Sequence, residues 1–336
     1  MEVICLKCIN SILVVIDCSI LMNKLLFFIL FLFLGIITTI VILLLLIKQK
    51  PTVVQFIPQV INHDKQLKDE DKKNIPPLTL QSIFSSDHNW VKKLNPKRTR
   101  VLLVTGDIIP ARSVNAQTIK YNDFRWPFLK TADILNTADV TFINLESPLI
   151  PNCPITIEGM TFCDNQKHIK GLLFAGVDLA NLANNHAGNY GLDGLTQTKE
   201  LLNQHGITTT GFADNLAILT VKGKQFAFLG YNLIPDAGPY VSQAKDETIR
   251  TDINKAKKSA DIVVVTFHWG TEYTTVVTDE QKHYAHFAIN NGADLIIGNH
   301  PHWVQPIELY KGKLITYAHG NFIFDQLAEE TKNRAK

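Results

Sequence analysis

Five short apolar runs in this chain each end in residue types that bind metals or phosphates. Residues 101–105 lead into Gly106-Asp107, and residues 140–143 into Asn144-Leu145-Glu146. Residues 178–183 lead into Asn184-Asn185-His186, residues 262–267 into His268-Trp269-Gly270, and residues 295–297 into Gly298-Asn299-His300-Pro301-His302. Carboxylates offer hard oxygen donors, imidazoles offer nitrogen and asparagine offers an amide oxygen. That mixture suits Mn, Fe or Zn, suits Mg less well, and does not describe a soft thiolate centre. Two cations bridged by one carboxylate polarise a phosphoryl oxygen and generate hydroxide near neutral pH. His186, next after Asn185, is in place to protonate a leaving group or to hydrogen-bond a substrate.

Positioning such groups calls for strands. Short β-branched runs with helical sequence between them read as parallel strands, and in open α/β sheets ligands gather at the carboxyl ends of those strands. The expected fold is therefore a layered α/β domain, a β-sheet core flanked by helices, with one pocket collecting all five motifs. His300 and His302 flank Pro301, which predicts extended backbone and two rings pointing the same way. Asn144 and Glu146 alternate similarly; the other reading makes them a turn former and a helix N-terminal acid. For Asp107 the alternative is a helix cap, supported by Pro110, and for His268 a packed core histidine. His319-Gly320-Asn321 ends the run 314–318 and is expected to close the pocket wall. His63, His88, His168, His205, His283 and His286 fall outside the pattern and are expected in surface or packing roles.

The 336 residues, 46% hydrophobic and 19% charged, are enough for a sizeable core, and a net charge of +2 gives no sign of nucleic-acid binding. Residues 25–47 carry no charge and as a helix would span roughly 34 Å, the length of a membrane crossing. The run exceeds the roughly 7–15 apolar residues of a cleaved signal peptide and is followed by Lys48-Gln49-Lys50-Pro51, so an uncleaved single-pass anchor is expected. Residues 1–24 form a short segment in which Met22 reads as an alternative start. A weaker membrane segment over residues 9–21 is the competing view, and Asp17 argues against it. Residues 48–77 read as a polar stalk, residues 78–94 as a helix on the domain edge, and residues 78–336 as the domain.

Lysines on both sides of the apolar run leave its orientation open. Cys153 and Cys163 share one loop, and a disulfide between them would place the domain in an oxidising space outside the cell. Two free thiols, or a pair of soft metal ligands, are the alternatives. The loop over residues 152–164 reads as a lid.

Gly106-Asp107 with Arg112, Asn144-Leu145-Glu146, Asn184-Asn185-His186, His268-Trp269-Gly270, the 298–302 motif and His319-Gly320-Asn321-Phe322 together resemble the ordered motif set of the CapA family of capsule and poly-γ-glutamate synthesis. That family is similar to the calcineurin-like metallophosphoesterases. The resemblance spans residues 101–326 and implies a dinuclear centre. In it Asp107 and His302 hold one metal, Asn185, His268 and His300 hold the other, and Glu146 bridges. His186 becomes the acid or phosphate-orienting group, while Arg112 grips an anionic oxygen or, equally, forms a surface salt bridge. Asn144, His319 and Asn321 complete the set as substrate contacts.

The implied protein is a membrane-anchored, metal-dependent hydrolase or transferase acting on a phosphoester or polymer bond. It would take a polyanionic or phosphorylated substrate and work beside other capsule or poly-γ-glutamate membrane proteins. One departure matters: metallophosphoesterases carry a His two residues after the first Asp, where this chain has Ile109. That leaves the first metal with fewer protein ligands and favours the alternative, a non-catalytic polymer-binding or export component. Family members also continue beyond the equivalent of residues 322–326, so a C-terminally shortened domain is expected.

Overall fold

A computed structural model describes the backbone of residues 4–9 and 12–17 and, with side chains, residues 78–89, 94–212, 215–235 and 238–326. The chain divides into two compact units, Met1–Leu67 and Lys68–Lys336. In the first, β1 (Ile4–Ile9) and β2 (Ile12–Asp17) pair antiparallel, with Ile9 opposite Ile12 and Ile4 opposite Asp17. Part of the weaker membrane segment considered over residues 9–21 is thus strand. The expected anchor at residues 25–47 and stalk at residues 48–77 lie outside the described residues. Among the described residues no helix is long and apolar enough to cross a membrane.

The second unit opens with a single helical turn, α1 (Leu80–Ile83), closed by reciprocal hydrogen bonds between Thr79 and Ser82. This is much shorter than the helix expected over residues 78–94; Trp90 and Val91 lie outside the described residues.

Where the sequence suggested one sheet, there are two. The first contains β3 (Leu102–Ile108), β4 (Val140–Leu145), β7 (Leu179–Asn181), β8 (Thr208–Thr210) and β15 (Asn321–Ile323) in the order β15-β3-β4-β7-β8, parallel throughout. A separate small ladder joins β5 (Leu149–Ile150) to β6 (Asp164–Asn165). The second sheet runs β13-β14-β12-β11-β10-β9, built from β9 (Ala217–Val221), β10 (Lys224–Asn232), β11 (Ile262–His268), β12 (Leu295–Asn299), β13 (Ile307–Tyr310) and β14 (Lys313–Thr316). Its centre is parallel and each edge is an antiparallel hairpin. Both hairpins turn on Lys-Gly, Lys222-Gly223 and Lys311-Gly312, with all four residues at positive φ. Such two-residue turns match the twist of the strands they join.

The apolar strands explain the stacking. Every residue of β4 is buried, as expected of a parallel strand covered on both faces. Val140, Phe142 and Leu179 from the first sheet pack with Phe226, Phe228, Val264 and Ile297 from the second, and Phe142 stacks on Phe228 with ring centroids 5.9 Å apart. Outside the first sheet lie α2 (Arg112–Tyr121), the short α3 (Ala132–Leu135) and α4 (Ile169–Phe174), and α5 (Gly191–Gln204). Leu135, Leu172, Leu195 and Leu202 of these helices cluster with Ile143 and Leu145. Outside the second sheet, α6 (Asp246–Ser259) and α7 (Asp279–Asn291) bring Ile249, Ile253, Ala285 and Ala288 onto Val265 and Phe267. The result is helix, sheet, sheet, helix.

Phe228→Ala is expected to destabilise the second unit by about 3–5 kcal/mol, the usual cost of emptying a buried phenyl site. Chemical denaturation measures it, and a loss under about 1 kcal/mol would mean that the two sheets do not depend on this ring.

Candidate metal centre

Asp107 lies near the end of β3 and is fully buried. Its N–H donates to the Gly320 carbonyl at 2.8 Å, an approach open only because residue 106 is glycine: a Cβ there would collide with that carbonyl. One layer below, the Asn144 amide nitrogen donates to Asp107 Oδ1 at 2.8 Å and lies 3.3 Å from His268 Nδ1. The Asn144 oxygen accepts from Asn181 and Asn184 at 2.9 and 3.3 Å. Expected as a substrate contact, Asn144 is instead buried beneath the centre, with its amide bonded to protein groups on every side.

Glu146 follows β4 and is also fully buried. Neither carboxylate oxygen has a hydrogen-bond partner, although His268 Nε2 lies 3.3 Å from Oε1. Burial, then the charge of Asp107, pushes its carboxyl well above the usual carboxylate range. A buried carboxylate without donors is costly to keep, and the surrounding atoms fit a cation. Potential ligand atoms of Asp107, Glu146 and His268 lie within 4.8 Å of one another, and so do those of Glu146, His300 and His302. Glu146 belongs to both groups. The remaining division differs from the expected one, since Asp107 groups with His268 and His300 with His302. Asp107 Oδ2 nevertheless lies 3.2 Å from His302 Nδ1, and Asn185 Oδ1 lies 2.8 Å from His268 Nε2.

His300 and His302 converge by a route the sequence reading did not foresee. They are not alternate residues of a strand: β12 ends at Asn299, and the two histidines adopt φ of 100° and 58°. Left-handed backbone is unfavourable for residues bearing a Cβ, by about 1–3 kcal/mol each. It is held here by His300 N–H to Asp107 Oδ2 at 3.4 Å, by Tyr273 N–H to the Pro301 carbonyl at 2.9 Å, and by His302 Nδ1 against Asn321 Oδ1 at 2.8 Å. His300 Nδ1 is buried without a partner.

The charges separate sharply. Burial raises the Asp107 carboxyl, but the His302 hydrogen bond and charge, with His268 and Asn144, outweigh it and bring it to about 2. Burial lowers the His302 imidazole, but Asp107 and Glu146 outweigh that and lift it to about 9. Burial drives His268 down to about 3 and His300 to about 2. Those two rings are neutral at pH 7, the form that offers a lone pair to a metal.

His186 and Asn185 line a cleft of about 530 Å³ together with Asn189, Met160, Glu272 and His300. Burial lowers the His186 imidazole to about 4, and the Phe162 ring covers it at 4.3 Å between centroids. Arg112 begins α2 at φ 48°. Its guanidinium pairs with Asp325 (Nε to Oδ1, 3.1 Å), donates to the Gly159 carbonyl at 3.0 Å and lies 5.0 Å from the rings of both Phe162 and Phe324. Of the two expected roles the structure contains the salt bridge, half-buried rather than on the surface, with the fork occupied by Asp325. His319 bonds the Gly298 carbonyl at 3.2 Å, and Asn321 holds His302 while donating to Gln326 at 2.9 Å. Neither is among the residues that line the cleft, so they stand behind it and not in the wall where they were expected.

Cys153 and Cys163 are joined by a disulfide with Cα atoms 5.7 Å apart. The loop between them exposes Ile155, Ile157 and Met160 but buries Phe162. Among the histidines outside the pattern, His168 is buried against Phe124, while His283 and His286 pair with Asp246 and Glu308; His63 lies outside the described residues. Sequence reasoning missed Asn181, Asn189 and Asp325. Asn181 left a signal, a polar residue inside an apolar run; Asn189 lies just beyond the 184–186 motif, and Asp325 in the final stretch.

The family model described as bacterial capsule synthesis protein PGA_cap matches residues 101–326. The chain is 33% identical over 247 residues to the PGA biosynthesis protein CapA of Bacillus subtilis (strain 168), covering 68% of this chain and 64% of that protein. It is 29% identical over 287 residues to the capsule biosynthesis protein CapA of Bacillus anthracis, covering 77% and 70%. The chain thus spans about two thirds of the length of these curated relatives. Similar solved structures include a phosphatase from Mycoplasma pneumoniae, at TM-score 0.45 and 15% identity over 66% of this chain and 72% of that one. Another is a hypothetical protein from Thermus thermophilus, at TM-score 0.44 and 18% identity over 65% and 75%.

Asp164, next to the disulfide, gives a stability test. It is fully buried, and burial pushes its carboxyl up to about 8 despite a hydrogen bond from the Ser147 hydroxyl. Between the unfolded carboxyl's ordinary value of 3.8 and about 8, the folded chain holds a proton that the unfolded chain has released. Stability therefore falls as pH rises through that window and levels off above it. In Asp164→Asn the decline in melting temperature from pH 5 to pH 8 is expected to be several degrees smaller; an unchanged decline would remove Asp164 as its source. Separately, Cys153→Ser is expected to cost about 2–3 kcal/mol from loop-closure entropy, read from denaturant midpoints of the oxidised wild type and the variant.

Proposed function

The chain belongs to the bacterial capsule synthesis protein family, and from that premise we propose that it is a membrane-anchored, metal-dependent hydrolase or transferase acting on a phosphoester or polymer bond in capsule or poly-γ-glutamate assembly. The observation that carries this reading is Glu146, a buried carboxylate with both oxygens unpartnered, shared by two groups of ligand atoms. Asp107, Glu146, Asn185, His268, His300 and His302 would hold the metals. Divalent ions such as Mn, Fe or Zn held there would supply Lewis acidity toward a phosphoryl or carbonyl oxygen and lower the pKa of water.

This chain's own groups do the rest. Asn144 sets the Asp107 carboxylate and the His268 ring at fixed distances, so the ligands need little reorganisation. His186 faces the cleft beside Asn185, where it holds or moves a proton at the reacting group. Arg112 braces the disulfide loop through Asp325 and Gly159. The apolar run at residues 25–47 supports single-pass anchoring, and the disulfide supports an extracellular site. Other membrane proteins of the same assembly are the proposed partners, and a polyanionic or phosphorylated chain the proposed substrate.

Ile109 favours a second reading. It is fully buried, packed with Ala111, Phe162 and Phe324, and offers no ligand. A chain with a weakened first site could bind and pass on a polymer without turnover.

Metal stoichiometry of the purified full chain tests the first reading. Two bound ions are expected, with Glu146→Gln lowering affinity for both and His302→Ala chiefly for one. A folded chain that binds no metal tightly would move the assignment to the second reading.

A further inference from the structure

The immediate surroundings of His186 determine which of its ring nitrogens carries the proton. Asn189 Oδ1 lies 2.7 Å from the Phe162 backbone nitrogen and 3.0 Å from His186 Nδ1. A backbone N–H can only donate, so the Asn189 atom facing it is the carbonyl oxygen, an acceptor. That oxygen has no proton to give, so the contact to His186 forms only if Nδ1 is the donor. We propose that Asn189, oriented by the Phe162 backbone, is a positioning residue that fixes His186 with its proton on Nδ1 and its bare Nε2 toward the cleft.

The parts are held from several sides. Asn189 N–H donates to the His186 carbonyl at 3.1 Å, closing a single turn around the pair. The His186 and Ala187 N–H groups both donate to Asn184 Oδ1, at 3.2 and 2.7 Å. Phe162 precedes the half-cystine Cys163, meets Phe324 edge-on at 5.6 Å, and carries the Arg112 guanidinium on its ring. A loop more than twenty residues earlier in sequence thus sets the protonation pattern of the cleft histidine. The resting ring accepts a hydrogen bond or proton, so its substrate presents an O–H or N–H to Nε2. Of the two roles expected for His186, this favours a hydrogen bond to the substrate over protonation of a leaving group by the resting ring, and it rests on the proposed reading only in assuming that His186 meets the reacting group.

The test is a two-bond ¹H–¹⁵N correlation spectrum of the full chain labelled with ¹⁵N-histidine, recorded at pH 7.5 with chelator and again with Zn(II), His186 being assigned by its loss in His186→Gln. Wild type is expected to show a protonated Nδ1 and an unprotonated Nε2. Asn189→Ala should move the ring toward the Nε2–H tautomer that free histidine side chains prefer, while Asn189→Asp, which keeps an acceptor oxygen, should retain the proton on Nδ1. A protonated Nε2 with bare Nδ1 in wild type would overturn the proposal, as would an unchanged ring in Asn189→Ala. Should Asn189→Ala fail to fold, wild type and Asn189→Asp still decide. The spectrum reads the tautomer whether or not the chain binds metal or turns over, so loss of the hydrolase reading would leave it separately decided.

Discussion

Two carboxylates, Asp107 and Glu146, are buried together where strand ends of the two sheets meet, and among the described residues no lysine or arginine is bonded to either. Like charges without solvent repel, and neither oxygen of Glu146 is hydrogen-bonded, with only His268 Nε2 nearby at 3.3 Å. Much of the local structure can be understood as a response to that charge. Three asparagines from neighbouring strand ends form a relay beneath it, two histidines accept left-handed backbone to reach it, and a glycine clears the way for the Gly320 carbonyl.

The strand-end motifs were legible because a parallel strand is marked by its own composition: a short apolar run stopping at a polar residue. Which sheet each strand joins was not legible, since the run before Asp107 and the run before His268 look alike although they lie in different sheets. The Lys-Gly turns at 222–223 and 311–312 held that information, because tight antiparallel hairpins close the edges of the second sheet. The alternation argument for His300 and His302 failed for a related reason. It presupposes a strand, and the strand stops at Asn299, before either histidine. Arg112 was ambiguous because its partner, Asp325, lies 213 residues away.

Charge at the cleft bears on recognition. Its described lining carries Glu272 and His186 but no lysine or arginine, and the nearby guanidinium is occupied by Asp325. If the centre holds cations, attraction for an anionic ligand would come from them, so ligand affinity and occupancy of the centre would rise and fall together. Phosphate-binding loops rich in backbone N–H groups or lysines keep the two separate.

The final described strand, β15, returns from the second sheet to the edge of the first and pairs with β3 at Asp107. Residues 320 and 321 supply the carbonyl that fixes Asp107 and the amide that holds His302. In a chain made from its amino terminus, Asp107 and Glu146 leave the ribosome, or cross a membrane, long before these pieces do. Until β15 arrives, both carboxylates wait on an unfinished sheet. A centre built from these groups would thus be complete only once that strand has emerged, and a polypeptide still in transit would travel without it.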